Sequence, residues 1–81
     1  MTGGPWAVQV FAGRDKVAAD LLVRSLTEKG HPVHIDARRE GSGSLYRVQV
    51  GGYASREAAD AVADRLRKEG LSGAWVTRTR G

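Results

Sequence analysis

Two stretches of the chain, forty residues apart, carry the same text. Val8-Gln9-Val10 returns as Val48-Gln49-Val50, and Ala18-Ala19-Asp20 returns as Ala58-Ala59-Asp60. The same offset of 40 aligns Trp6 with Tyr46, Asp15 with Ser55, Leu26 with Leu66 and Gly30 with Gly70. Repeats of this length often build solenoids, but a solenoid needs about three units to bury its stacked faces. This chain of 81 residues holds two copies. A single duplicated domain with internal pseudo-twofold symmetry is the arrangement that remains.

Each copy reads as strand, helix, strand. Trp6, Val8 and Val10 alternate with Ala7, Gln9 and Phe11, and Tyr46, Val48 and Val50 alternate with Leu45, Arg47 and Gln49. That period of two marks half-buried strands. Asp15 and Ser55 suit helix N-caps, because a short side-chain oxygen can accept from a free amide of the first turn. Ala19, Leu22 and Leu26 repeat at helical spacing, as do Ala59, Val62 and Leu66, so each helix has one apolar stripe. Gly30 and Gly70 stand where a helix closes with a left-handed residue. Val33 and Ile35 flank His34 in a second strand, and Ala74 and Val76 flank Trp75 in a fourth if one residue is inserted after Gly70.

The order is therefore β-α-β-β-α-β. With right-handed crossovers it closes into an α+β, ferredoxin-like sandwich: a four-stranded antiparallel sheet with both helices on one face. The expected domain spans residues 6–77, with half-repeats at 6–36 and 45–77. A flexible loop over 37–44 joins them, its Gly/Ser-rich part being Glu40-Gly41-Ser42-Gly43-Ser44. Residues 1–5 and 78–81 are expected to be tails.

Composition narrows the chemistry. The chain contains no cysteine, which excludes disulfides, thiolate metal sites and a cysteine nucleophile. No apolar run approaches the roughly 20 residues of a membrane span, so no insertion into a membrane is expected of this segment. Thirteen basic against nine acidic residues leave a net charge of +4, which favours anionic partners such as nucleic acid, anionic lipid or cell-wall polymer. His31 and His34 point to opposite sides of a strand and cannot share a metal. No cofactor is expected.

The valines must face the helices, so the residues between them face away. Strands 1 and 3 are central in this topology, which puts Gln9 beside Arg47 and Gln49 on the bare face. His34, Leu45, Phe11 and Trp75 are expected around them. Two amides, a guanidinium and apolar rings form a surface able to hydrogen-bond and stack, and an exposed apolar patch of this kind marks a partner site. On this placement Gln9 is solvated, and replacing it should barely change stability.

These residues resemble a family. Residues 6–35 and 45–76, with Val8-Gln9-Val10, Tyr46-Arg47-Val48, "VGGYASREAAD" at 50–60 and "GAWV" at 73–76, are similar to the SPOR domain, named for sporulation-related proteins. The resemblance implies a non-catalytic module of bacterial cell-envelope proteins that binds peptidoglycan, in particular glycan strands stripped of stem peptides, on the open sheet face. It puts the family's strand-1 glutamine at Gln9, its following loop residue at Ala12 and its strand-3 arginine at Arg47, with the groove passing Leu45, Gln49 and Trp75. It further implies an envelope location on the periplasmic or wall side, a link to a larger envelope protein, and a monomer. One departure stands out. The family writes glycine before an aromatic after strand 1, whereas this chain writes Phe11-Ala12-Gly13, which places Phe11 at the groove edge.

Two other functions fit the same topology less well. An RRM-like module binding single-stranded RNA stacks bases on aromatics of the central strands. Strand 3 here carries one aromatic, Tyr46, and it points inward, so no nucleic acid is expected. An acylphosphatase-like enzyme would need an asparagine to position water, and the chain has none. Ser55 and Ser72 have no histidine nearby to activate them.

Overall fold

The computed structural model describes residues 4–79. The elements follow in the order β1 (Trp6–Gly13), α1 (Lys16–Glu28), β2 (Val33–Glu40), β3 (Gly43–Tyr53), α2 (Arg56–Lys68) and β4 (Trp75–Arg78). They form one antiparallel sheet in the order β2-β3-β1-β4, as the ferredoxin-like arrangement requires.

The two helices begin and end by the same devices. Asp15 Oδ1 accepts from the Ala18 amide at 3.2 Å, and Ser55 Oγ accepts from the Ala58 amide at 3.1 Å. At the other end the His31 amide donates to the Leu26 carbonyl and the Leu71 amide to the Leu66 carbonyl, each at 3.0 Å. With Gly30 and Gly70 at positive φ, both ends are Schellman closures. Lys29 and Glu69, equivalent positions of the two halves, meet at 3.6 Å across the pseudo-twofold axis. As a largely exposed pair they add little to stability.

The core is the repeat folded on itself. Val8, Val48, Val50, Ala19, Ala59, Ala63, Leu26 and Leu66 are all buried, with Leu26 and Leu66 its largest members. Trp6 packs against this cluster, its ring flanked by the guanidiniums of Arg56 at 5.7 Å and Arg78 at 5.1 Å. Tyr53 packs there as well, and burial pushes its phenol above its ordinary pKa. Gly52 lies so close to Gly4 that a Cβ at 52 would collide with the Gly4 carbonyl oxygen.

Two expectations need correction. Residues 37–44 are not a flexible loop. β2 and β3 pair as far as Glu40 opposite Gly43, leaving a two-residue turn, Gly41-Ser42, with Gly41 at φ 61°. A tight turn of this kind matches the natural twist of the flanking strands. The short tails are partly built into the fold as well. Arg78 pairs with Trp6, and the Thr79 amide donates to the Pro5 carbonyl at 2.8 Å. Residues 1–3 and 80–81 of the expected tails lie outside the described residues.

Leu26→Ala and Leu66→Ala should each cost about 2–5 kcal/mol, the usual range for a fully buried leucine. Chemical denaturation of the two variants should give similar losses, because the two sites are related by the repeat.

Candidate functional site

Both helices pack on one side of the sheet, so the other side carries side chains with no layer above them. The register arranges these in rows. His34 stands opposite Gln49, Gln49 opposite Gln9, and Gln9 opposite Trp75, so one row crosses all four strands. The next row holds Asp36, Arg47 and Ala12, and beyond it Arg38 faces Leu45. The two middle residues of the repeated Val-Gln-Val are thus direct cross-strand neighbours.

The row is bonded. Gln49 Nε2 donates to Gln9 Oε1 at 3.2 Å, and His34 Nε2 lies 3.3 Å from Gln49 Oε1. Trp75, 54% exposed, closes the row. A depression of about 430 Å³ lies over this face, lined by Gln9, Gln49, His34, Arg47, Asp36 and Arg38, with Thr77 and Thr79 at its β4 side. Neither Arg38 nor Arg47 takes part in an ion pair among the described residues. The face therefore offers amide donors and acceptors, two free guanidiniums and one flat apolar ring.

Most of the expected residues come together here. Gln9, Arg47 and Gln49 line the depression, and the register puts Leu45, Ala12 and Trp75 on the same face beside it. The position of Trp75 opposite Gln9 shows that the residue inserted after Gly70 is in the right place. Gln9 departs from expectation in one respect: it is only 9% exposed, walled in by its neighbours on β3 and β4.

Phe11 is the exception. The pairing slips between Gln9 and Phe11, so that Val10 is an extra residue and Phe11 stands opposite Val48. This is a β-bulge, in which two residues of one strand oppose one of its neighbour. The slip exchanges the faces of every later residue in β1. Phe11 joins Val10 in packing against the core, while Ala12 moves to the open side opposite Arg47. The transposed order Phe11-Ala12-Gly13 is thus accommodated by the backbone, and Phe11 is not part of the groove.

Asp36, Arg38, Thr77 and Thr79 were missed from sequence. All four continue a period of two, from His34 along β2 and from Trp75 along β4. Assigning residues 37–44 to a loop and 78–81 to a tail hid Arg38 and Thr79, whereas Asp36 and Thr77 stood unread as the last residues of the two expected half-repeats.

A four-stranded sheet covered by two helices on one side and lined with amides on the other defines an open-faced α+β recognition module. Comparisons with known proteins name it more closely. The SPOR domain family model matches residues 2–78. The crystal structure of the RlpA SPOR domain from Pseudomonas aeruginosa is similar, with a TM-score of 0.78 at 27% identity over 91% of this chain and 99% of that one. So is the solution structure of the peptidoglycan binding domain of the B. subtilis cell wall lytic enzyme CwlC, with a TM-score of 0.68 at 30% identity over 99% of this chain and 95% of that one. A search among curated proteins finds no match. The chain belongs to the SPOR domain family.

Phe11→Ala should lower stability by about 2–4 kcal/mol, somewhat less than removal of a fully buried ring because Phe11 is only partly buried. Ala12→Ser, on the exposed side of the bulge, should stay within about 0.5 kcal/mol of the parent. Thermal melts of the pair check this: a Phe11→Ala protein melting with the parent would return the ring to the open face. Gln9→Ala should cost about 0.5–1.5 kcal/mol, the value of one hydrogen bond.

Proposed function

We propose that this domain is a non-catalytic module that binds peptidoglycan along its glycan strands, using the open sheet face. The observation that carries the reading is the row His34–Gln49–Gln9–Trp75 on the uncovered side of a SPOR domain. A glycan strand is a ribbon of hydroxyls and N-acetyl amides with apolar ring faces. Amide side chains pair with the polar groups, directly or through bridging water, and an indole covers a ring face. Arg47 and Gln49 line the groove beside Gln9, Leu45 and Ala12 extend it, and Trp75 supplies the stacking surface. The likeness to a domain of a cell wall lytic enzyme supports the same ligand.

The module works as a monomer within a larger protein of the bacterial cell envelope, on the periplasmic or wall side. Among the described residues no helix is long and apolar enough to cross a membrane. No group of three or more histidine or acidic side chains among them is placed to hold a metal ion. The proposed binding draws on neither.

Co-sedimentation with insoluble peptidoglycan sacculi, before and after amidase removal of stem peptides, is the direct test. The parent should be retained, more strongly after amidase treatment. Arg47→Ala should weaken retention several-fold. Trp75→Ala should weaken it by about tenfold or more, the loss expected from removing an aromatic anchor. Binding should fall only mildly as salt rises, because few charges are neutralised. No retention on sacculi, with a steep salt dependence on single-stranded RNA, would favour an RNA ligand instead. The inward packing of Tyr46 against the core weighs against that reading.

A further inference from the structure

The amides of the central row are arranged with a direction. Gln49 turns its nitrogen to Gln9 Oε1 and its oxygen to His34 Nε2. An amide oxygen can only accept. The His34–Gln49 contact is therefore a hydrogen bond only when the imidazole carries its proton on Nε2. Gln9 Oε1 is in turn occupied by Gln49, which leaves the two N–H donors of Gln9 Nε2 with no protein acceptor among the described residues. Gln9 is nearly buried, it lines the depression, and its cross-strand neighbour on β4 is Trp75.

Reversing one end reverses the whole chain. With the proton on Nδ1, His34 Nε2 would accept, Gln49 would turn its nitrogen toward it, and the Gln49 oxygen would face Gln9. Gln9 would then donate inward and present its carbonyl outward. A ligand would meet an acceptor where it now meets two donors. His34 has no other side-chain hydrogen-bond partner among the described residues, and it is exposed.

We propose that His34 is a positioning residue for the open-face site: by donating from Nε2 to Gln49, it orients both glutamine amides across three strands. Gln9 then offers its N–H donors, beside the Trp75 ring, to an acceptor on the ligand. Resting on the glycan reading above, the group that fits is the carbonyl of an N-acetyl substituent, whose apolar sugar ring can lie on the indole. The three residues act in sequence, and only the last touches the ligand through this chain. The repeat supplies the two amides, while the histidine that sets their direction belongs to one half only, Trp75 taking the corresponding place in the other.

The tautomer can be measured without any ligand. Long-range proton–nitrogen correlation spectra of the labelled protein, under alkaline conditions that leave imidazoles neutral, should show His34 protonated at Nε2. Protonation at Nδ1 overturns the proposal. A second measurement uses sacculi as the probe. His34→Ala should weaken retention about threefold to tenfold, the worth of one ordered hydrogen bond, with the fold intact by circular dichroism. His34→Gln places an amide donor near the position of Nε2 and should restore most of the loss, whereas His34→Leu should not. Equal retention of His34→Ala and the parent, or failure of the glutamine to rescue, counts against the relay. If the parent itself is not retained, the glycan reading fails alone, and the tautomer still decides the relay.

Discussion

The structure depends on the pairing of β1 with β3, in which two copies of Val-Gln-Val lie antiparallel with their glutamines face to face. Because side chains alternate along a strand, fixing the valines under the helices fixes the glutamines on the other side. A slip of one residue in either strand would put its glutamine into the core and its valines into water. Each exposed valine would forfeit about 1.5–3 kcal/mol of burial, so the register is strongly specified. Duplication makes this possible in a short chain, since one half-domain pattern supplies both sides of the central pair.

The same constraint explains how the chain tolerates its irregular first strand. Phe11-Ala12-Gly13 puts a large apolar residue where strict alternation would expose it. The extra residue at Val10 changes the phase of the strand after Gln9, so the ring returns to the core and Ala12 faces outward opposite Arg47. The bulge falls just past the central row. It leaves Gln9 opposite Gln49 and Trp75, and alters the groove only where Ala12 stands.

The face that results is enclosed in the middle and open at its β4 margin. Gln9 is hydrogen-bonded and nearly enclosed, whereas Trp75 lies half-exposed on a four-residue edge strand. For the glycan strand proposed above, this means a hydrogen-bonded polar row beside an exposed aromatic ring. Holding polar groups in place before binding limits the ordering cost of forming each contact. The helices contribute by position alone. Their buried stripes hold the central strands from one side and leave the other free for a ligand.

Much of this was legible in the residues. The repeat, the caps at Asp15 and Ser55, the stripes through Leu26 and Leu66, and the alternation around Gln9, Arg47 and Gln49 are local patterns, and each follows from strand or helix periodicity. The family resemblance was carried by the same stretches. What sequence could not decide were matters of register between distant segments. That Glu40 pairs with Gly43 across a two-residue turn depends on β2 finding β3, although the segment between them is rich in glycine and serine. That Phe11 turns inward depends on where Val48 falls across the ladder. That Gln9 is enclosed, and receives the Gln49 amide, depends on neighbours 40 and 66 residues further along the chain. Periodicity along a strand decides which side chains share a face, and only the pairing of strands decides which of them touch.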